Sequence, residues 1–148
     1  FVCVLSVGFL AERLQRRGVP PVVPAAIGIA LSICIQALFA AGWTDYPVLL
    51  CVLFGYFGAT GTLAYAVLNQ HFPQNLTGRV NTAQNMLSFI AAFAVQWLVG
   101  VIIGAYPSPG EGLYSADGHQ AALIVFVCIE IAGFLYFLWP RRKGDGLP

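Results

Sequence analysis

The sequence predicts an all-α protein, a polytopic bundle of transmembrane helices with four full spans and the end of a fifth. Three observations predict it. Hydrophobic residues make up 59% of the 148 and charged residues only 9%, against roughly 45–50% and about 25% in soluble domains. With a mean hydropathy of +0.80, the chain has too few charges to cover a sphere in water. Long apolar runs recur between short polar connections, at 1–11, 22–43, 48–68, 80–106 and 120–139. The same composition excludes disorder, which needs low hydrophobicity and high net charge. A net charge of +1 leaves no broad basic surface for nucleic acid.

Apart from the first, each run reaches about 20 residues, enough to cross a ~30 Å hydrocarbon core at ~1.5 Å per residue. The first run is half a span with no initiating Met, and Arg13, Arg16 and Arg17 follow it. A signal peptide carries its positive charge before the apolar stretch, so 1–11 reads as the end of a helix that begins upstream, and the chain as a fragment. Pro24 and Pro47 lie near the starts of the second and third runs, where a missing N–H costs little. Pro73, Pro107 and Pro140 fall just beyond the third, fourth and fifth. Thr77 is a candidate cap for the fourth helix. Asp117, three residues before Gln120, reads as a capping box that opens the last one. Barrel strands would alternate apolar and polar residues, and these runs do not. Cys3, Cys34, Cys51 and Cys128 each sit in an apolar run with no CxxC pairing; they read as small apolar packing residues rather than metal or redox ligands.

The basic residues orient the bundle. Arg13, Arg16 and Arg17 lie in the first connection, Arg79 in the third, and Arg141, Arg142 and Lys143 in the tail. All seven positive charges fall on one side of the path, while Asp45, Glu111 and Asp117 fall on the other. Under the positive-inside rule the loops 12–21 and 69–79 and the tail 140–148 are cytoplasmic. Asn75-Leu76-Thr77 matches a glycosylation sequon, but on that face it reads as a turn.

The first connection is Gly8-Phe9-Leu10-Ala11-Glu12-Arg13-Leu14-Gln15-Arg16-Arg17. It resembles the G-x-L-A-D-R-x-G-R-R/K loop signature of the major facilitator superfamily of transporters. Gly8, Leu10, Ala11, Arg13, Arg16 and Arg17 match; Glu12 replaces Asp, and Gln15 stands where the family prefers Gly, which suggests a less sharp turn. The signature occurs after the family's second helix, with a weaker copy after the eighth. Gly100 and Gly104 have no proline between them, unlike the pattern of the family's fifth helix. The stretch from Phe72-Pro73 to Val80-Asn81 looks like the loop between the tenth and eleventh helices. The resemblance therefore implies that residues 1–148 are a partial C-terminal half, from the end of the eighth helix through the twelfth, of a twelve-helix transporter. The alternative places them after the second helix. Inner-membrane location in a bacterium, a small-molecule substrate, a proton as coupling ion and an N-terminal half as partner are the expectations that follow.

Gly8, Glu12, Arg13, Arg16 and Arg17 are candidates for a conformational latch, formed in one conformer and broken in another; the plainer reading is that the arginines enforce topology. Polar residues inside spans usually face the bundle interior or a water-filled cavity. Gly58, Thr62, Tyr65 and Asn69 share one face of the third run, and Asn81, Asn85, Ser88, Ala92 and Gln96 share one face of the fourth. Thr62, Tyr65, Asn85, Ser88 and Gln96 are the substrate-path candidates; the competing reading is helix packing, to which the Gly100–Gly104 pair belongs. Glu130, the one ionisable residue deep in a full span, would be strongly disfavoured there as an unpaired carboxylate. It is the proton-coupling candidate, or else a protonated group bonded to a neighbouring helix. No catalytic residue, cofactor or metal is expected, because the spans offer one carboxylate and no convergent base or nucleophile. A small structural or partner-binding membrane protein is the alternative to a transporter.

Overall fold

The computed structural model describes residues 2–43, 45–107, 110 and 113–139. Among them the chain is helical, with no strand. Glu111, Pro140, Arg141, Arg142 and Lys143 lie outside the described residues.

Helix α1 (Val2–Arg16) runs through the arginine signature up to Arg16, with Arg17 in the turn that follows, so all but the last residue of the signature is helix rather than loop. Exposed polar side chains on the outer face do not stop a helix. The stop comes two residues later at Gly18, whose φ is +84°. Gly18 N–H donates to Gln15 O and Val19 N–H to Leu14 O, the paired bonds of a Schellman motif. The turn that Gln15 could not supply is thus made at Gly18. Helix α2 (Val22–Ala40) ends the same way at Gly42, φ +77°, with Trp43 N–H returning to Leu38 O.

The third span is one right-handed path in three pieces. Helix α3 (Pro47–Gly58) has Pro47 in its first turn. A 3₁₀ segment (Ala59–Thr62) follows, then α4 (Leu63–His71). Three glycines, Gly55, Gly58 and Gly61, weaken the regular helix here. The hydroxyls of Thr60 and Thr62 donate to the carbonyls of Phe57 and Ala59, at 2.6 and 2.8 Å, serving backbone acceptors where the winding tightens.

A short 3₁₀ turn (Gln74–Leu76) leads to α5 (Thr77–Gly104). Thr77 is the first helical residue, and Leu76 occupies the cap position without a side-chain bond; Thr77 is therefore not the cap. Helix α6 (Ala116–Leu138) starts four residues before the apolar run. Its cap is Ser115, whose Oγ accepts from Gly118 N–H at 3.4 Å, and not Asp117. Asp117 instead lies in the first turn, where its charge suits the helix dipole. α2, α5, α6 and the joined α3–α4 path are each long and apolar enough to cross a membrane.

Helix α2 is the centre post, packed on α6, on α3 and on the 3₁₀ segment. Gly28 of α2 is buried, and a methyl group there would overlap the side chain of Thr60. The other close approach is Gly118, whose missing Cβ admits the Ile103 backbone of α5 and the Tyr106 side chain just beyond that helix. Gln120 Nε2 donates to Ala40 O at 2.9 Å, tying the start of α6 to the end of α2. α5 meets α4 and α6 yet contains no buried residue. A Cβ at Gly100 or Gly104 would meet nothing, so this pair is not a packing seam among the described residues. Cys34, Cys51 and Cys128 are exposed on the outer surface rather than packed inside, and Cys3 is half-buried.

Candidate functional site

Two polar sites emerge, one on the open side of the bundle and one inside it. On the open side, the two predicted stripes meet: the Tyr65 hydroxyl of α4 donates to Asn85 Oδ1 of α5. Tyr65 is half-buried and Asn85 exposed. One turn earlier on α5, Asn81 Oδ1 is buried without a hydrogen-bond partner. Farther along, Ser88 and Gln96 are exposed; the Ser88 hydroxyl donates to Gln84 O at 2.9 Å. Thr62 is also exposed, and its hydroxyl is taken by its own helix. The structure brings Tyr65 and Asn85 together, and leaves Thr62, Ser88 and Gln96 uncovered along the same side chains' route.

The second site is internal. Gly28, Ser32 and Gln36 of α2 recur every four residues, one face of a helix, and all three are buried. That face meets the 3₁₀ segment and α6. Gln36 Nε2 donates to Glu130 Oε2 at 2.5 Å. Gln36 is 6% exposed, Thr60 7% and Ser32 9%, while Glu130 is half-buried. Ser32, Gln36, Thr60 and Glu130 line one cavity of about 240 Å³, walled by Ile29, Phe54 and Phe57. On the other side of Gln36 lies an apolar cavity of about 310 Å³, lined by Val95, Val99, Ile103, His119, Leu123 and Phe126. Of the internal set, the sequence singled out Glu130; Thr60, Ser32 and Gln36 were missed. For Ser32 and Gln36, the four-residue spacing from Gly28 in an otherwise apolar run was the available signal.

At the end of α1, Arg16 Nη2 bonds Glu12 Oε1 at 2.7 Å, one turn apart and well exposed. Glu12 therefore pairs within its own helix. Arg13 and Arg17 are exposed and meet no acid of a neighbouring helix among the described residues. Gly8 is exposed, with open space beside its Cα. At the opposite end, Trp43 Nε1 donates to Asp45 Oδ2 at 2.7 Å, an indole with one apolar and one polar edge of the kind favoured at membrane interfaces.

Among the described residues no three His, Cys, Asp or Glu side chains gather. His71 and His119 donate from Nδ1 to the carbonyls of Val67 and Ser115, each 2.8 Å away within its own helix end. What the sites offer is neutral hydrogen-bonding surface on one and a single acid among amides and hydroxyls in the other. No protein-family model, curated protein or solved structure matches this chain.

Proposed function

We propose that the chain is most of the C-terminal half of a secondary active transporter of the major facilitator kind, which moves a small solute by alternating access and is coupled to an ion, the proton first. One observation carries the reading. Tyr65 and Asn85, on separate spans, are hydrogen-bonded to each other on a side of the bundle that no other described element covers. Amides and hydroxyls facing hydrocarbon are costly, and in membrane proteins such groups face water or protein. A polar face of this sort, open along α5, suits a solute path between two halves that rock about it. Glu130, held by Gln36 in the interior, is the candidate for the coupled proton. The latch residues Glu12, Arg13, Arg16 and Arg17 would act at the cytoplasmic end, with Glu12–Arg16 as the pairing in this arrangement.

The test uses thiol accessibility in the full-length protein, with native cysteines replaced. Asn85→Cys and Gln96→Cys should react with a small, charged, water-borne thiol reagent despite their positions inside a span. Ile90→Cys, exposed on another side of α5, should not. Equal inertness at all three positions would remove the water-filled path. It would favour the second reading, a partner-binding membrane protein, for which the uncovered length of α5 is the supporting observation.

A further inference from the structure

We infer that the open-sided cavity between α2, the 3₁₀ segment and α6 binds a monovalent cation of about sodium's size, held by Glu130 in competition with the proton. The inference deepens the ion-coupled reading by naming the class of ion. Its charge balance is simple. Glu130 is the one ionisable group lining the cavity, and neither a lysine nor an arginine is among the lining residues. No other element packed there supplies a charge: Ser32 and Gln36 come from α2, Phe57 and Thr60 from the third span. His119 lies in the neighbouring apolar cavity on the far side of Gln36 and does not line this one. A single negative charge taken out of water needs a single positive one. One carboxylate is too little for a divalent ion, and an anion would be repelled.

The choice between a cation and a bare proton turns on the neutral groups. A proton needs one acceptor, and Glu130 alone provides it. The cavity holds three further oxygen-bearing side chains, Ser32, Gln36 and Thr60, each more than nine-tenths buried or at that limit. A cation, unlike a proton, is bound by several oxygens at once. The Gln36 amide nitrogen is engaged by Glu130, which leaves its carbonyl oxygen to accept or ligate. The Thr60 hydroxyl gives its hydrogen to Phe57 O, so its lone pairs stay available. The Ser32 hydroxyl has no hydrogen-bond partner among the described residues, and Ser32 lines the cavity. Oxygen ligands of this kind, a carboxylate with carbonyl and hydroxyl oxygens, are what hard cations take. About 240 Å³ also leaves room for water to complete the shell. On binding, the Glu130 carboxyl releases its proton and the cation takes its place, so the charge in the cavity is unchanged.

The experiment measures thermal stability of the purified full-length protein in lipid nanodiscs, titrated with sodium chloride against choline chloride at matched ionic strength. Sodium should raise Tm at alkaline pH, and lowering the pH should weaken that effect by competition. Glu130→Gln should abolish the sodium response while remaining folded. Ser32→Ala should keep the response but raise the half-saturating concentration about 10-fold, the worth of one neutral ligand. Binding of radioactive sodium to the same samples gives a readout independent of folding. If Tm depends on pH through Glu130 and sodium does no more than choline, the cation inference is overturned and proton coupling stands. If neither ion acts through Glu130, both fall.

Discussion

Gly28 is where three parts of the molecule meet without room for a methyl group. Thr60 fills the space in front of it, and Ser32 and Gln36 continue its face toward Glu130. Gly28→Ala should therefore destabilise the protein by about 1–3 kcal/mol, the usual cost of overpacking. Thermal unfolding in nanodiscs measures it, and Gly28→Ala combined with Thr60→Gly should recover most of the loss. Full stability in the single variant would show that α2 and the 3₁₀ segment can separate freely. At this scale the sequence was only partly legible. Glu130 stood out because a carboxylate in a span is conspicuous. Gln36 and Ser32 did not, because a lone amide or hydroxyl in an apolar run acquires meaning only when its helix becomes the centre post. Tyr65 and Asn85 were legible as members of stripes, while their hydrogen bond depends on how α4 and α5 are joined.

The elements were easier to read than their ends. Apolar runs at 22–43, 48–68, 80–106 and 120–139 became helices because a spanning backbone must satisfy its own hydrogen bonds. The starts and stops moved where polar residues are helical: α1 continues to Arg16, and α6 opens at Ala116 behind Ser115. Within the third span, Gly58 and Thr62 were visible in sequence as members of one face; the tightened winding at Ala59–Thr62 was not. A 3₁₀ stretch inside a helix has poorer hydrogen-bond geometry and often marks a hinge. Gly58→Ala with Gly61→Ala meets open space at both positions and should stabilise the span by about 1 kcal/mol per site. Amide hydrogen exchange over 59–62 should slow in parallel. Unchanged exchange would mean that Thr60 and Thr62, not the glycines, set the winding.

For the molecule as a whole, the arrangement is an up-and-down bundle around α2, with Arg13, Arg16 and Arg79 at the ends of α1 and α5 that share a side. On the proposed reading, the positive-inside rule would put that side in the cytoplasm. Tyr114, exposed before α6, and Gln74, exposed before α5, should then lie on opposite faces. In cells, Tyr114→Cys should react with a membrane-impermeant maleimide from outside, and Gln74→Cys only after permeabilisation. The reverse pattern would invert the bundle and move the latch residues outside.

Helix α5 has no buried residue along its length, and this bears on how it sits rather than on where. A cylinder without interlocked side chains turns about its own axis at little cost. Two features oppose that roll: the Ile103 backbone lodged against Gly118 at one end, and the Tyr65–Asn85 bond near the other. Tyr65 is thus a peg that sets which strip of α5 faces the open side. Loosening it alone would swing Asn81, Ser88 and Gln96 sideways together, re-aiming the whole polar strip while every helix stayed in place.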